Sequence, residues 1–176
     1  MRYLIVAILI CASLFSANAQ NNRYDQNQDG SVMSPDGFYA GFGTGSLDNL
    51  GANRLSYQFV LGRLWNTTKY LGVKTTAEVT SDFENAIIAS ALVGANVYPV
   101  LRNFSPYIGA AAGIGYANGS GPGDALGLDV SGTIGLMLFR TAPFQVNIEG
   151  NTNVIFRKVQ DNSIPMTFTG RIGLLF

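Results

Sequence analysis

The segment Ile164-Pro-Met-Thr-Phe-Thr-Gly-Arg-Ile-Gly-Leu-Leu-Phe176 alternates between two kinds of side chain. Its even positions are nearly all apolar, whereas its odd positions include Thr167, Thr169 and Arg171. A period of two is typical of a β-strand whose two faces meet different surroundings. In a soluble barrel the apolar face would pack in the core, whereas in an outer-membrane barrel that face meets lipid and the polar face lines the lumen.

The chain is poor in charge. Only 12% of its residues are charged and its formal net charge is zero, whereas about a quarter of an average soluble domain is charged. This balance gives no reason to expect nucleic acid as a partner. After residue 19 there is no apolar run of the roughly 18 residues that a membrane helix requires. Because a closed barrel is the other structure that pairs every backbone group in lipid, these features favour a transmembrane barrel.

Residues 1–19 are predicted to be a cleaved signal peptide, because they combine one basic residue, an apolar core and the small-residue ending Ala17-Asn-Ala19. A retained membrane helix is the alternative, but the apolar run is shorter than the ~20 residues that span a bilayer. Cys11 is the only cysteine, so the exported chain is predicted to contain no disulfide. The polar, aperiodic residues 20–36 predict a flexible N-terminal arm, and residues 37–176 are predicted to form the barrel.

Eight alternating segments predict eight strands. They lie near residues 37–46, 54–65, 70–80, 86–99, 105–116, 126–139, 144–156 and 164–176. A strand of ~10 residues, rising about 3.3 Å per residue and tilted near 45°, crosses about 24 Å, which fits the apolar band of an outer membrane. The fourth segment is also compatible with a buried helix, but it is too short to span as one, and Pro99 ends it.

An even number of strands returns both chain ends to the same side, predicted to be the periplasm. The links after the second, fourth and sixth strands would then be periplasmic turns. The predicted outer loops lie near residues 47–53, 81–85, 117–124 and 157–163, and all of them are short.

Two stretches carry a family resemblance: Tyr107-Ile-Gly-Ala-Ala-Ala-Gly-Ile-Gly-Tyr116 and Gly170-Arg-Ile-Gly-Leu-Leu-Phe176. Over about residues 37–176 the chain resembles the small eight-stranded OmpA-like/opacity-type outer-membrane β-barrel family. The resemblance implies an all-β, antiparallel, up-and-down transmembrane barrel in the outer membrane of a Gram-negative-type cell. It also implies delivery by periplasmic chaperones and insertion by the barrel assembly machinery, with Phe176 and Leu174 as the C-terminal recognition signal. The family includes structural proteins, adhesins and small channels, so the resemblance specifies the fold and not the function.

Five charged side chains are predicted to face inward as a polar network: Lys74, Glu78, Asp129, Glu149 and Arg171. A last hairpin symmetric about Gln160 places Glu149 directly opposite Arg171. Because the interior of an eight-stranded barrel is barely wide enough for its own side chains, this pair is predicted to block water and ions as a structural plug. A gate or small-solute filter is the alternative.

Other inward side chains are large: Tyr39, Val60, Ile88, Leu92, Tyr98, Tyr107, Met137 and Phe139. Opposite the glycine rows of the first and fifth strands, they are predicted to fill the lumen. A channel for hydrophobic molecules is the alternative. Six aromatic residues are predicted to form the girdles at the membrane interfaces: Tyr57, Trp65, Tyr116, Phe144, Phe156 and Phe176.

The chain contains no histidine. This removes Ser–His, Asp–His and His–metal catalysis together, so we predict that the protein is not an enzyme.

One stretch of the N-terminal arm fits a calcium-loop pattern. Asp25, Asn27, Asp29 and Asp36 stand at positions 1, 3, 5 and 12 of such a loop, with Gly30 at position 6. No amphipathic helix flanks the loop, and the twelfth position is Asp where an EF-hand has Glu. A solvated linker is therefore the alternative to calcium binding, and no other cofactor is predicted.

The sequence thus predicts a monomeric outer-membrane barrel, surrounded by lipid, with a structural or surface-interaction role. A pore or transporter and a surface adhesin are the functional alternatives. A soluble lipocalin-like barrel, with its apolar face inside, is the structural one.

Overall fold

The computed structural model describes residues 36–50, 55–84, 86–119, 124–140, 142–157 and 164–176. Within these ranges the chain forms eight strands: β1 (Gly37–Asp48), β2 (Leu55–Asn66), β3 (Leu71–Ser81), β4 (Ala86–Val97), β5 (Phe104–Gly119), β6 (Ala125–Leu138), β7 (Gln145–Phe156) and β8 (Met166–Leu175). Each strand pairs antiparallel with the next, and β8 pairs with β1, so the sheet is a closed barrel. The predicted all-β, eight-stranded, antiparallel up-and-down fold is confirmed. The predicted signal peptide, and the arm apart from Asp36, lie outside the described residues.

The two ends of the barrel differ in what they carry. One end, here called the terminal end, holds the start of β1, the end of β8 and the links after β2, β4 and β6. The other, the loop end, holds the links after β1, β3, β5 and β7. At the terminal end the backbone of Phe38 exchanges two hydrogen bonds with that of Phe176, of 2.8 and 3.0 Å, so pairing continues to the last residue.

Two strands are longer than the alternation predicted. Strand β1 continues to Asp48 and β5 continues to Gly119, whereas both stretches were predicted to be loop. The physical reason is that Leu47 and Ala117 keep the alternation and are fully buried inside the loop end of the barrel. The ambiguous fourth segment is strand β4, as predicted.

Phe139 corrects one predicted direction. It was predicted to point inward, but β6 ends at Leu138, and Phe139 has a φ of 58° and an exposed side chain. The left-handed backbone starts a turn in which the Ala142 amide donates to the Phe139 carbonyl over 2.8 Å. Because the turn interrupts the two-residue period, the side chain leaves the lumen.

The faces of the barrel are reversed relative to a soluble protein. On β8, Phe168, Ile172 and Leu174 are exposed, whereas Thr169 and Arg171 are buried, as the alternation predicted. The same division holds elsewhere, with exposed apolar residues that include Phe59, Leu61, Ile108, Ile114, Leu128 and Ile134. An apolar outer face and a polar interior contradict the soluble-barrel alternative. Within the described ranges, no helix is long and apolar enough to cross a membrane.

Aromatic side chains mark both ends of the apolar outer face. Towards the loop end the rings of Phe42, Tyr57 and Phe83 follow one another, with centroids 6.2 and 5.5 Å apart. Towards the terminal end the Arg63 guanidinium lies 5.3 Å from the centre of the Trp65 ring. The predicted girdle residues Tyr57 and Trp65 therefore occupy opposite ends of the barrel wall.

Candidate functional site in the barrel lumen

The Glu149–Arg171 pair lies at the middle of the lumen. Strands β7 and β8 place the two residues directly opposite each other, as the hairpin symmetry predicted. The Nε of Arg171 donates a hydrogen bond to Oε2 of Glu149. The Nη1 of the same guanidinium donates to Oε1 of Glu78, on β3, over 3.0 Å. Lys74 Nζ approaches Oε1 of Glu149 at 3.4 Å. Two cations and two anions thus form one network of zero net charge.

These four charged side chains are almost completely shielded from solvent. The exposed fraction of the side chain is 0% for Glu149, 1% for Arg171, 3% for Glu78 and 8% for Lys74. Ion pairs shielded to this degree are neither weakened by water nor screened by salt as surface pairs are. Removal of one partner therefore leaves a buried charge uncompensated.

Neutral side chains complete the network around the two carboxylates. Tyr39 donates to Oε2 of Glu149 over 2.9 Å, and the Tyr107 hydroxyl donates to its Oε1. Oε2 of Glu78 accepts hydrogen bonds from the side-chain amides of Gln58, over 3.2 Å, and Asn153, over 3.3 Å. The sequence predicted the two tyrosines only as filling groups, and Gln58 and Asn153 were missed as partners. The inward position of Gln58 in the alternation was a signal that could have identified it.

Glycine makes room for the tyrosine rings. A Cβ on Gly135 would lie 2.7 Å from the hydroxyl oxygen of Tyr107, and a Cβ on Gly173 would overlap the ring of Tyr39. Inward glycines on β6 and β8 therefore let the two rings approach the wall closely and reach Glu149.

Asp129 lies apart from the other four predicted charges. Its side chain is fully buried, and its Oδ2 accepts a hydrogen bond from the Ser90 hydroxyl. The Asn153 side chain and the Val154 backbone also hydrogen-bond this carboxylate, and no described lysine or arginine forms an ion pair with it. The structure therefore joins Lys74, Glu78, Glu149 and Arg171 but leaves Asp129 outside their network.

Two apolar clusters of buried residues lie on either side of the charges. The loop-end cluster consists of Leu47, Leu50, Ala86, Ile88, Ala117, Ala125 and Ile155. The terminal-end cluster consists of Tyr39, Val60, Leu64, Tyr98, Tyr107, Met137 and Leu175. All the large residues predicted to face inward are 2% exposed or less except Phe139, so their side chains face the lumen as predicted.

Arg140 links the turns at the terminal end and was not predicted. It is 2% exposed, and its guanidinium lies 4.2 Å from the centre of the Tyr98 ring. Its Nη2 donates a hydrogen bond to the Lys69 carbonyl over 2.8 Å. Burial raises the pKa of Tyr98, which lies in the turn after β4, to about 12. Burial also lowers the pKa of Arg140 from its usual value. Arg140 thus ties the link after β6 to the links after β2 and β4.

The calcium hypothesis falls mostly on residues that are not described. Asp25, Asn27 and Asp29 lie outside the described ranges. Asp36 is described, and its Oδ1 accepts a hydrogen bond of 2.7 Å from the backbone amide of Asn66, which ties the residue before β1 to the end of β2. Within the described part of the chain, no group of three or more Asp, Glu, His or Cys side chains is placed to hold a metal ion.

The two residues of the expected assembly signal lie on the outer face. Phe176 is 62% exposed and Leu174 is 38% exposed. Both side chains are therefore directed away from the lumen, at the end of the strand that closes the barrel.

Solved structures with the same architecture support this description. Neisserial surface protein A (NspA) is 16% identical, covers 80% of this chain and 97% of its own, and superposes with a TM-score of 0.59. The N-terminal β-barrel domain of Pseudomonas aeruginosa OprF is 13% identical, covers 82% and 98%, and has a TM-score of 0.54. Neither a protein-family model nor a curated protein matches the sequence. The likeness confirms the fold implied by the family resemblance, a small eight-stranded barrel of the outer-membrane type.

Proposed function

We propose that this chain is an outer-membrane protein of a Gram-negative-type cell, with a structural or surface-interaction role and a lumen that is closed to ions. The apolar outer face supports the location. Residues such as Phe59, Ile108 and Ile134 are 51–67% exposed, and in water such a continuous apolar surface would aggregate. In lipid the same apolar surface matches its surroundings, and the closed sheet provides every strand with hydrogen-bond partners for its backbone amides and carbonyls.

The observation that carries the closed lumen is the buried network between two apolar clusters. A hydrated ion that passed through would have to separate Arg171 from Glu149 or Glu78. Breaking a buried pair by losing one partner costs about 3–5 kcal/mol. The ion would also have to displace packed side chains at both ends, including Leu50 and Tyr98, which are fully buried.

The link between β3 and β4 favours a structural role over binding of a large ligand. The link between β3 and β4 spans only residues 82–85. Its shape is fixed from within, because Oδ1 of Asp82 accepts hydrogen bonds from the amides of Glu84, at 3.1 Å, and Ala86, at 2.9 Å. It presents Phe83, with a 70% exposed side chain, at the loop end. A surface interaction would therefore use a small apolar contact rather than a long loop.

Periplasmic chaperones and the barrel assembly machinery would deliver a monomeric barrel, and the exposed Phe176 would contact that machinery. No enzymatic role is proposed, because the chain contains no histidine to act as a general base.

Planar-bilayer recording tests the closed lumen. The folded protein should give no discrete conductance steps, and neither should a variant of the outer face such as Thr152→Ala. Steps in the wild type that change with Glu149→Gln or Arg171→Met, but not with Thr152→Ala, would contradict the proposal and favour a channel. A heat-dependent shift of gel mobility in detergent tests the membrane barrel independently of conductance.

A further inference from the structure

Arg63 is the only cationic side chain that the described strands direct outward. It lies on β2, two residues after Leu61, which is on the same face of the sheet and 57% exposed. Its own side chain is half-buried. It stands near the terminal end of β2, where the apolar outer face gives way to a turn. A long basic side chain at this height reaches from the edge of the apolar layer to the lipid headgroups.

Two aromatic rings flank the guanidinium of Arg63. The centre of the Trp65 ring lies 5.3 Å from its Cζ, and Trp65 follows two residues later on the same face of β2. The centre of the Phe38 ring lies 5.6 Å from the same atom, and Phe38 is the register partner of Arg63 on β1. Aromatic faces attract a cation and take the place of water beside it. The rings therefore fix a positive charge on the membrane-facing wall.

The chemistry of the guanidinium suits phosphate. It has five N–H donors in a planar fork, and a phosphate engages two of them in parallel. The group also stays protonated at every physiological pH. Because apolar side chains surround it, its attraction to a phosphate is weakened less than it would be in bulk water.

The terminal end around Arg63 adds further positive charge. Its described residues include four cationic side chains and one carboxylate, namely Arg63, Lys69, Arg102, Arg140 and Asp36. Arg140 is buried within the turns, whereas Arg102 is exposed. Lys69 forms a second cation–aromatic pair, because its Nζ lies 5.4 Å from the centre of the Tyr70 ring, and Tyr70 is 48% exposed. Basic side chains at this height favour an anionic lipid surface over a neutral one.

We propose that Arg63, Phe38 and Trp65 form a binding site for the phosphate of an anionic phospholipid on the outer face of the barrel. The barrel then selects anionic over zwitterionic lipid at its terminal end. Both lipid classes present a phosphate, but a headgroup such as phosphatidylglycerol has no amine that Arg63 and Lys69 would repel. The site rests on the proposed membrane location and adds to it a lipid preference that a closed lumen does not require.

The fluorescence of Trp65 tests the site directly, because Trp65 lies within it and is the only tryptophan of the chain. The folded protein is reconstituted in vesicles of phosphatidylglycerol and phosphatidylcholine in equal parts. Bromine, which quenches tryptophan at short range, is placed on the acyl chains of one lipid class at a time. The two quenching curves give the relative binding constant of the two lipids beside Trp65.

One basic side chain near an anionic surface favours that surface about fivefold. The wild type should therefore prefer phosphatidylglycerol by at least about fivefold, and Arg63→Gln should lower the preference by about that factor. Arg157→Gln supplies the matched control, because it removes an exposed arginine at the loop end and should leave the preference unchanged.

Several results would overturn the site. Equal quenching by the two brominated lipids in the wild type excludes it, and this measurement needs no variant. A preference that Arg63→Gln retains assigns the selection to other cations, and an equal loss in Arg157→Gln assigns it to overall charge. If Arg63→Gln does not fold, Arg63→Lys keeps the charge without the fork and should keep only part of the preference; full retention argues against the phosphate fork. The gel shift on heating, measured on the same vesicles, reports the membrane barrel separately from its lipid preference.

Discussion

Substitution of Arg171 by methionine should be among the most destabilising single changes in this barrel. Arg171 is the partner of both Glu149 and Glu78, and all three side chains are 3% exposed or less. Methionine fills similar volume but leaves Lys74 as the sole cation beside two buried carboxylates. Loss of one partner of a buried pair costs about 3–5 kcal/mol. Glu149 keeps Lys74 and two tyrosine hydroxyls, so we expect a value within that range and not twice it.

The double variant Arg171→Met/Glu149→Gln gives a sharper expectation than either single variant. Each single change leaves the network with one net charge, whereas the double change leaves Lys74 and Glu78 and restores neutrality. The double variant should therefore cost about as much as one single variant, with a coupling energy at the upper end of the usual range of about 0.5–3 kcal/mol. Arg171→Lys is the matched control, because it keeps the charge and loses only the forked geometry.

Urea unfolding in lipid vesicles measures these differences, followed by the fluorescence of Trp65, the only tryptophan, and by the gel shift on heating. A range of 3–5 kcal/mol corresponds to roughly two to three and a half orders of magnitude in the unfolding equilibrium constant. If Arg171→Met costs less than about 1 kcal/mol, as exposed pairs do, the lumen is hydrated and the reasoning fails. Strict additivity of the two single variants would refute the shared network.

Three further predictions concern other parts of the barrel. Gly173→Ala should destabilise the barrel by about 1–3 kcal/mol, because the new methyl group overlaps the ring of Tyr39. Gly170→Ala, on the open outer face, should be neutral or slightly stabilising. Equal urea midpoints for the two variants would contradict this packing. The pKa of Tyr98 is raised from 10.0 to about 12 in the folded state, so its contribution to stability is complete below pH 10 and declines between pH 10 and 12. Tyr98→Phe should reduce that decline, and an unchanged pH profile would exclude the effect. Deletion of Phe176 should slow insertion by the assembly machinery in reconstituted vesicles, and an unaltered rate would remove it as a signal.

Prediction from sequence succeeded where two-residue alternation and local symmetry are sufficient. The position of one turn is enough to predict that Glu149 lies opposite Arg171. Whether a side chain faces the lumen or the lipid follows from whether its position along the strand is odd or even. The contact from Arg171 to Glu78 crosses the lumen from β8 to β3, and it depends on the tilt and stagger of the closed barrel. Alternation along single strands does not contain that information, so the wider network was not predictable.

The errors have equally local causes. In the sequence, Phe139 continues the alternation of β6 at an inward position, but its positive φ places it outside the strand. Leu50 follows β1 in a stretch that composition marks as a turn, yet it is fully buried at the loop end. Arg140 lies in a link, where alternation makes no prediction. In each case a turn conformation, and not the strand pattern, decides where the side chain lies.

The contacts that cross the lumen also constrain the order of events during assembly. Lys74 and Glu78 are on β3, whereas Glu149 and Arg171 are on β7 and β8, so their ion pairs require the last hairpin to have curved round to face the early strands. Until β8 pairs with β1, Glu149 and Arg171 can pair only with each other across their hairpin, and Lys74 and Glu78 lack their partners on β7 and β8. An open sheet would therefore resist full entry into the apolar layer, and closure would remove that resistance in one step. In this barrel, completion of the charge network and completion of the wall are the same event.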